Sequence, residues 1–364
     1  MRRTGTAVLP LHGGRAPRWL FERMTRLARA VVAALVEDGG PEVVLRRLSD
    51  PFWFQALGCL LGFDWHSSGV TTTVCGALKE GLRGTERDLG LLVAGGKGRA
   101  SRRTPEELRA YGDRFGLDAP ALVYASRLSA KVDNNAVQDG YQLYHHTFFL
   151  TTSGQWAVIQ QGMRPEDRTA RRYHWLGERV ESFVREPHAA VCCDLRAETL
   201  NLVAAEGEEA RGAMAALARR PAGELANHLE RLSHLALPSR HAILARDLNP
   251  ARLSGVFLHT YEAQPQTFEA LLGLPKVGAK TLRALALLSE LLAGAPLSWR
   301  DPARYAFAHG GKDGIPFPVD RLTYDRTTGI LEEAVRRARI GEPERLRALR
   351  RLQAFVATPG APRS

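Results

Sequence analysis

The sequence predicts an α+β or α/β domain over residues 1–205, followed by an all-helical domain over residues 206–364. Three observations carry that expectation. At 364 residues the chain is long enough for two domains that each bury a core. Segments rich in aromatic and β-branched residues cluster between Tyr141 and Leu195. From about Ala197 the hydrophobic pattern turns helical, through Ala213–Leu217, Leu225–Leu235 and a leucine-rich pair near residue 280.

In chain order, Thr4–Leu11 alternates as a short strand, and His12-Gly13-Gly14 with Pro17 makes a turn. Trp19–Val36 carries Leu20, Met24, Leu27, Val31 and Leu35 at helical spacing. Pro51–Leu61 is a hydrophobic segment, Gly62–Gly69 a turn and Thr71–Leu82 a helix. The basic, glycine-rich Gly95–Arg103 is expected as a mobile loop. Thr104, Pro105 and Glu107 predict a capping box at the start of the next helix. Lys131–Asp139 is polar and turn-rich. Tyr141–Thr152 and Gln155–Gln161 form a hairpin joined at Ser153-Gly154. Arg164-Pro165 ends the second strand, and the basic run to Arg172 reads as a solvated face or a strand-guiding patch. Tyr173–Val184 is expected as a helix and Ala189–Leu195 as a short buried strand.

Hydrophobic residues at 45% and charged residues at 24% suit a soluble globular chain. A net charge of +11 favours a polyanionic partner. No apolar run reaches transmembrane length, and Met1–Gly5 lacks a signal-peptide core, so a cytoplasmic protein with no membrane partner is expected. Cys59, Cys75, Cys192 and Cys193 contain no C-x-x-C pair, which argues against a zinc site or a disulfide framework. Five of the six lysines (Lys97, Lys131, Lys276, Lys280 and Lys312) sit in loop-like stretches of an otherwise arginine-rich chain. There a compact ammonium offers something a guanidinium does not.

Three polar clusters in the first half could carry chemistry. Asp64 and His66, two apart, point the same way on an extended backbone and can meet one metal or substrate atom, with Ser67, Ser68 and Thr71 beside them. Asp133, Asn134, Asn135 and Asp139 supply the oxygens that Mg²⁺ or Mn²⁺ prefers. His145-His146 alternate in a strand, so at most one of them faces a given site. With Lys131 to offset phosphate charge, these residues form a set able to polarise a phosphodiester and activate water. Helix capping by Asp64, turn formation by Asn134-Asn135 and a core role for the histidines are the structural alternatives. Neither Ser67 nor Ser68 sits in G-x-S-x-G, and Gly95-Gly96-Lys97-Gly98 lacks Walker spacing.

In the second half, Thr267–Leu272 reads as a short helix, Leu274–Gly278 as a tight turn and Ala279–Leu292 as a helix burying Leu282, Leu285, Ala286 and Leu292. Gly278 is expected to free the backbone, and the following helix start to offer N–H groups to a phosphate, aided by Lys280, Thr281 and Arg283. The run Lys276-Val277-Gly278-Ala279-Lys280-Thr281 resembles the helix-hairpin-helix motif, which implies DNA-backbone binding with little sequence preference. Lys276 stands where that family usually has a second glycine. Beyond it, Tyr305–Asp320 resembles the loop and aspartate of helix-hairpin-helix DNA glycosylases. That likeness implies a catalytic Asp320 beside Phe307, His309 and Phe317, with any lyase role falling to Lys280 or Lys312.

Over nearly its whole length the chain resembles a two-part prokaryotic family of unknown function. The likeness rests on Arg3-Thr4-Gly5, Leu9–His12, Gly62–Gly69 and Phe307–Asp325. It implies a nuclease. The principal expectation is therefore a metal-dependent nuclease acting in DNA repair or processing and delivered by the hairpin, with RNA as a further substrate class. The alternatives are base excision and non-catalytic DNA binding.

Overall fold

Pro51–Leu61 is buried along its entire length, as a helix apolar on every side must be when it lies between two layers. The computed structural model describes residues 18–62, 69–166, 169–193, 196–233, 248–304 and 321–356. Their order begins α1 (Arg18–Gly39), α2 (Pro41–Ser49), α3 (Pro51–Leu61), α4 (Gly69–Leu82), α5 (Glu86–Leu89), β1 (Leu91–Lys97), α6 (Arg99–Arg102), α7 (Thr104–Phe115) and α8 (Ala119–Lys131). A π-helical turn, Val132–Ala136, then leads to β2 (Val137–Gln138), β3 (Gln142–Thr151), β4 (Trp156–Arg164), β5 (Thr169–Leu176), β6 (Ala190–Cys192) and β7 (Leu200–Asn201). Helices follow: α9 (Glu208–Ala218), α10 (Ala222–Ser233), α11 (Pro250–Ala263), α12 (Phe268–Gly273), α13 (Ala279–Ala293), α14 (Arg321–Arg337) and α15 (Glu342–Val356). The expected strand Thr4–Leu11 lies outside the described residues.

The fold is mixed α+β. A five-stranded sheet of order β1-β3-β4-β5-β6, antiparallel at every pairing, stands in the middle. Successive residues of a strand face opposite sides, and both sides are covered. Leu92, Phe148, Val158, Tyr173 and Trp175 pack into one core with residues of α7, α8 and α9–α13. Val93, Phe149, Ala157 and Ile159 pack into the other with α1–α4, α14 and α15. These cores do not divide at residue 205. The first runs from Leu92 to Ala303, and the second joins Met24 to Leu352.

Several local expectations are corrected. Gly95–Arg103 is not a loop but the end of β1 and the turn of α6. Gly95 has φ 86°, and a Cβ there would lie 2.3 Å from the His146 carbonyl, so the strands meet closer than a side chain allows. Glu107 closes no capping box. It accepts from the Gly95 N–H at 2.6 Å and from Lys79 Nζ at 2.7 Å, while Thr104 is already inside its helix. Tyr173–Val184 is not a helix, since Tyr173–Leu176 completes β5. The basic run before it is not solvated at its end. Arg171 and Arg172 are fully buried, on opposite faces of the sheet.

Candidate nucleic-acid interface

The turn between α12 and α13 is built by ordinary local rules and one unusual residue. Thr267 caps α12 by accepting from the Ala270 N–H at 3.1 Å. Phe268, Leu271, Leu272 and Val277 are buried, which anchors both sides of the turn. Lys276 adopts φ 65°, the left-handed region that glycine enters freely and other residues enter at a cost of about 1–2 kcal/mol. The unusual dihedral expected of Gly278 therefore falls on Lys276. Gly278 itself is extended (φ −126°, ψ −176°), and a Cβ on it would meet nothing within 4 Å. The ground above the start of α13 is open. Among the described residues no side chain caps that start, leaving the first N–H groups of a fifteen-residue helix without a side-chain partner there.

Lys276 and Lys280 are exposed, and neither forms an ion pair among the described residues. The other hairpin residues are committed inward. Thr281 is buried, so its hydroxyl is no surface donor, and Leu292, expected inside, is 46% exposed. Arg283 donates through Nε to Gln138 Oε1 at 2.7 Å, and Gln138 Nε2 donates to the Ala279 carbonyl at 2.9 Å. Lys131 is no phosphate ligand. Its Nζ donates to the carbonyls of Leu272 (2.7 Å), Leu274 and Val277 (3.4 Å), replacing water around the turn with one ammonium. Burial lowers its pKa.

The expected metal oxygens are also spent elsewhere. Asp133, buried in the π-helical turn, accepts from Gln160 Nε2 (2.5 Å), Trp175 Nε1 (3.0 Å) and His188 Nε2 (2.5 Å). Gln160 Oε1 then accepts from His146 Nδ1 at 2.8 Å, which leaves His146 Nε2 to accept from the Ser126 hydroxyl at 2.9 Å. Asp139 accepts from the Tyr141 N–H (2.9 Å), the Tyr173 hydroxyl (2.7 Å) and Arg171 Nη1 (2.9 Å), and Arg171 Nη2 continues to Asp301 at 2.8 Å. Burial raises both carboxyls, opposed by His188 at Asp133 and by Arg171 at Asp139. Each carboxylate already takes three donor hydrogens, two of them on one oxygen, in a closed core, so Asp133 and Asp139 do not fit Mg²⁺ or Mn²⁺. Among the described residues no three His, Cys, Asp or Glu side chains gather to hold a metal.

His145 lies on the other sheet face. Its Nε2 is 2.9 Å from Thr147 Oγ1, its Nδ1 finds no partner among the described residues, and burial pushes it down to about 3. Thr71 and Gln55, on the helices flanking residues 63–68, take hydrogen bonds from Arg172 Nη1 at 3.4 and 3.1 Å. Asp64, His66, Ser67, Ser68, Phe307, His309, Lys312, Phe317 and Asp320 lie outside the described residues.

A family model described as "Protein of unknown function (DUF763)" matches residues 5–319. The chain belongs to the DUF763 family. No curated protein and no solved structure matches it. The DUF763 match takes in the sheet, Lys131 and the hairpin; α14 and α15 follow it. It says nothing of the helix-hairpin-helix superfamily. Among the described residues of this DUF763 chain no helix is long and apolar enough to cross a membrane.

Proposed function

We propose that this protein binds nucleic-acid phosphates through the α12–α13 hairpin, in the manner of a helix-hairpin-helix motif. One observation carries the reading: two exposed ammonium groups without ion pairs, Lys276 and Lys280, flank an open, uncapped helix start. Backbone N–H groups and point charges recognise phosphate oxygens without reading bases. Affinity of the full-length protein for duplex DNA should therefore fall steeply with salt and vary little with sequence. In Lys276→Glu/Lys280→Glu the log–log salt slope should become shallower by about 2. Lys276→Gly, which suits φ 65°, removes the charge without backbone strain and serves as the control for folding. Unchanged duplex affinity in the double variant would sink the proposal.

Metal-dependent phosphodiester hydrolysis is the second reading. It now rests on Asp64 and His66 alone, not on Asp133, Asp139, Lys131 or His145. It rests on the sequence alone there, a carboxylate and an imidazole two residues apart between α3 and α4. Full-length protein incubated with Mn²⁺ and either duplex or single strands should cleave. EDTA and Asp64→Asn should each abolish the cleavage. Intact nucleic acid in every case leaves a binding protein without hydrolytic activity.

A further inference from the structure

Beside the hairpin lies a surface that the phosphate contact does not use. A groove of about 790 Å³ runs between α8 and the end of α12, lined by Val123, Tyr124, Leu128 and Gly273 with Arg109, Arg127 and Lys131. A second groove, of about 490 Å³, shares Pro120 and Tyr124 with it and continues over Trp156, Val180 and Phe183. Gly273 is the last residue of α12, and Lys131 holds the turn carbonyls, so the first groove opens directly onto the hairpin.

Two properties of this surface belong together. The ring of Tyr124, 46% exposed, stands edge-on to Phe183 at 5.8 Å, and Phe183 lies parallel to Trp156 at 6.2 Å. Trp156 is backed in turn by Phe148 at 5.5 Å, so Tyr124 is the open ring at the end of an aromatic row whose inner members are partly or wholly buried. Arg109 and Arg127 on the lip are exposed, and neither forms an ion pair among the described residues. The nearby Glu269 is occupied, accepting from the Tyr124 hydroxyl at 2.6 Å. Aromatic faces beside free cations suit an anionic polymer whose flat groups are unstacked. A duplex, with its bases shielded, can offer only its phosphates. A single strand offers both.

Building on the hairpin reading, we infer that the α8 groove binds a single-stranded segment of nucleic acid. Unpaired bases lie against Tyr124 and the Phe183–Trp156 pair, with phosphates on Arg127 and Arg109, while adjoining duplex sits on the hairpin. The preferred ligand is then a junction between paired and unpaired nucleic acid rather than a blunt duplex.

Fluorescence anisotropy of the full-length protein with three labelled probes tests this: a blunt duplex, the same duplex with a single-stranded tail, and the tail alone, each as DNA and as RNA. The tailed duplex should bind about tenfold more tightly than the blunt one, the scale of one base–aromatic contact. Tyr124→Ala/Arg127→Gln should erase that preference and leave blunt-duplex affinity unchanged. Tyr124→Phe, which keeps the ring and loses only the bond to Glu269, should retain it. Arg127→Gln alone, at an exposed position, should lessen the preference without disturbing the fold. Equal affinity of the wild-type protein for tailed and blunt probes would overturn the inference while leaving the hairpin reading intact. So would a preference that survives Tyr124→Ala/Arg127→Gln. If Lys276→Glu/Lys280→Glu leaves blunt-duplex binding untouched while the tail preference persists, the hairpin reading falls and the groove stands. Binding to no probe overturns both and leaves a protein segment as the groove's occupant.

Discussion

At pH 5 this protein should be roughly 4 kcal/mol less stable than at pH 7, through His145 and His146 alone. Burial lowers His145 from 6.5 to about 3 and His146 from 6.5 to about 4. Both rings are therefore neutral in the fold at pH 5, whereas in the unfolded chain they are charged. The unfolded state binds more protons, so stability is full above 6.5 and is lost as the pH falls from there toward the folded values. His174 works in the same direction, held well below 6.5 by burial and the Arg172 charge, with its Nδ1 donating to the Leu48 carbonyl. Asp133 and Asp139, raised by burial, work the other way, since their protonation favours the folded state. Urea unfolding at the two pH values, followed by tryptophan fluorescence, measures the difference. In His146→Gln the loss between pH 7 and 5 should shrink by about 2 kcal/mol. An unchanged pH 7-to-5 loss in His146→Gln, set beside the wild type so that the carboxyls cancel, would rule out a neutral buried imidazole at that position.

Arg171→Leu should destabilise the fold by about 3–5 kcal/mol, the usual result of leaving a buried charge without its partner. Arg171 bridges Asp139 and Asp301 through its two terminal nitrogens, at 2.9 and 2.8 Å, and its guanidinium lies 4.8 Å from the centre of the Tyr141 ring. Removing it strands two carboxylates in the core at once. Asp301 also accepts from the Ala197 and Ala303 N–H groups, at 2.9 and 2.8 Å, so the chain on both sides of α9–α13 is tied to the same cation. Arg171→Lys keeps the charge but not the fork, and should fall between the two. A loss below about 1 kcal/mol for Arg171→Leu would mean that the carboxylates do not depend on it for their burial.

The helices α1 and α4 and the β3–β4 hairpin were legible in the sequence, because one face or one turn declares each of them; α3, apolar on every side, showed only as a hydrophobic segment. β5 was not. Both of its faces are buried, so Arg171-Arg172-Tyr173-His174 shows no polar side. Its polar residues are inside because partners such as Asp301 and Gln55 lie more than 100 residues away, beyond any local window. Asp133 and Asp139 look like metal ligands by composition. Only the donors arriving from β4 and β5 and from His188 distinguish a satisfied core carboxylate from an open one. The hairpin was legible because Thr267, Val277 and Gly278 set it locally. The groove was not legible. Tyr124, Arg127 and Lys131 recur at helical spacing along α8, but that stripe means little until Gly273 is set against it.

The single ammonium of Lys131 closes a turn whose carbonyls lie 141 to 146 residues further along the chain. Arg337 meets Asp38 across 299 residues, and Arg351 meets the Leu60 carbonyl across 291. Contacts of such span make folding slow and late. A nascent chain that has left the ribosome as far as β7 carries a sheet with each face only partly covered, by α7 and α8 on one side and by α1–α4 on the other. It must wait for α9–α13 on one side and for α14 and α15 on the other. During that wait the apolar strands stand partly exposed, which makes the emerging chain a client for chaperones. Once complete, the two halves should melt together as one cooperative unit.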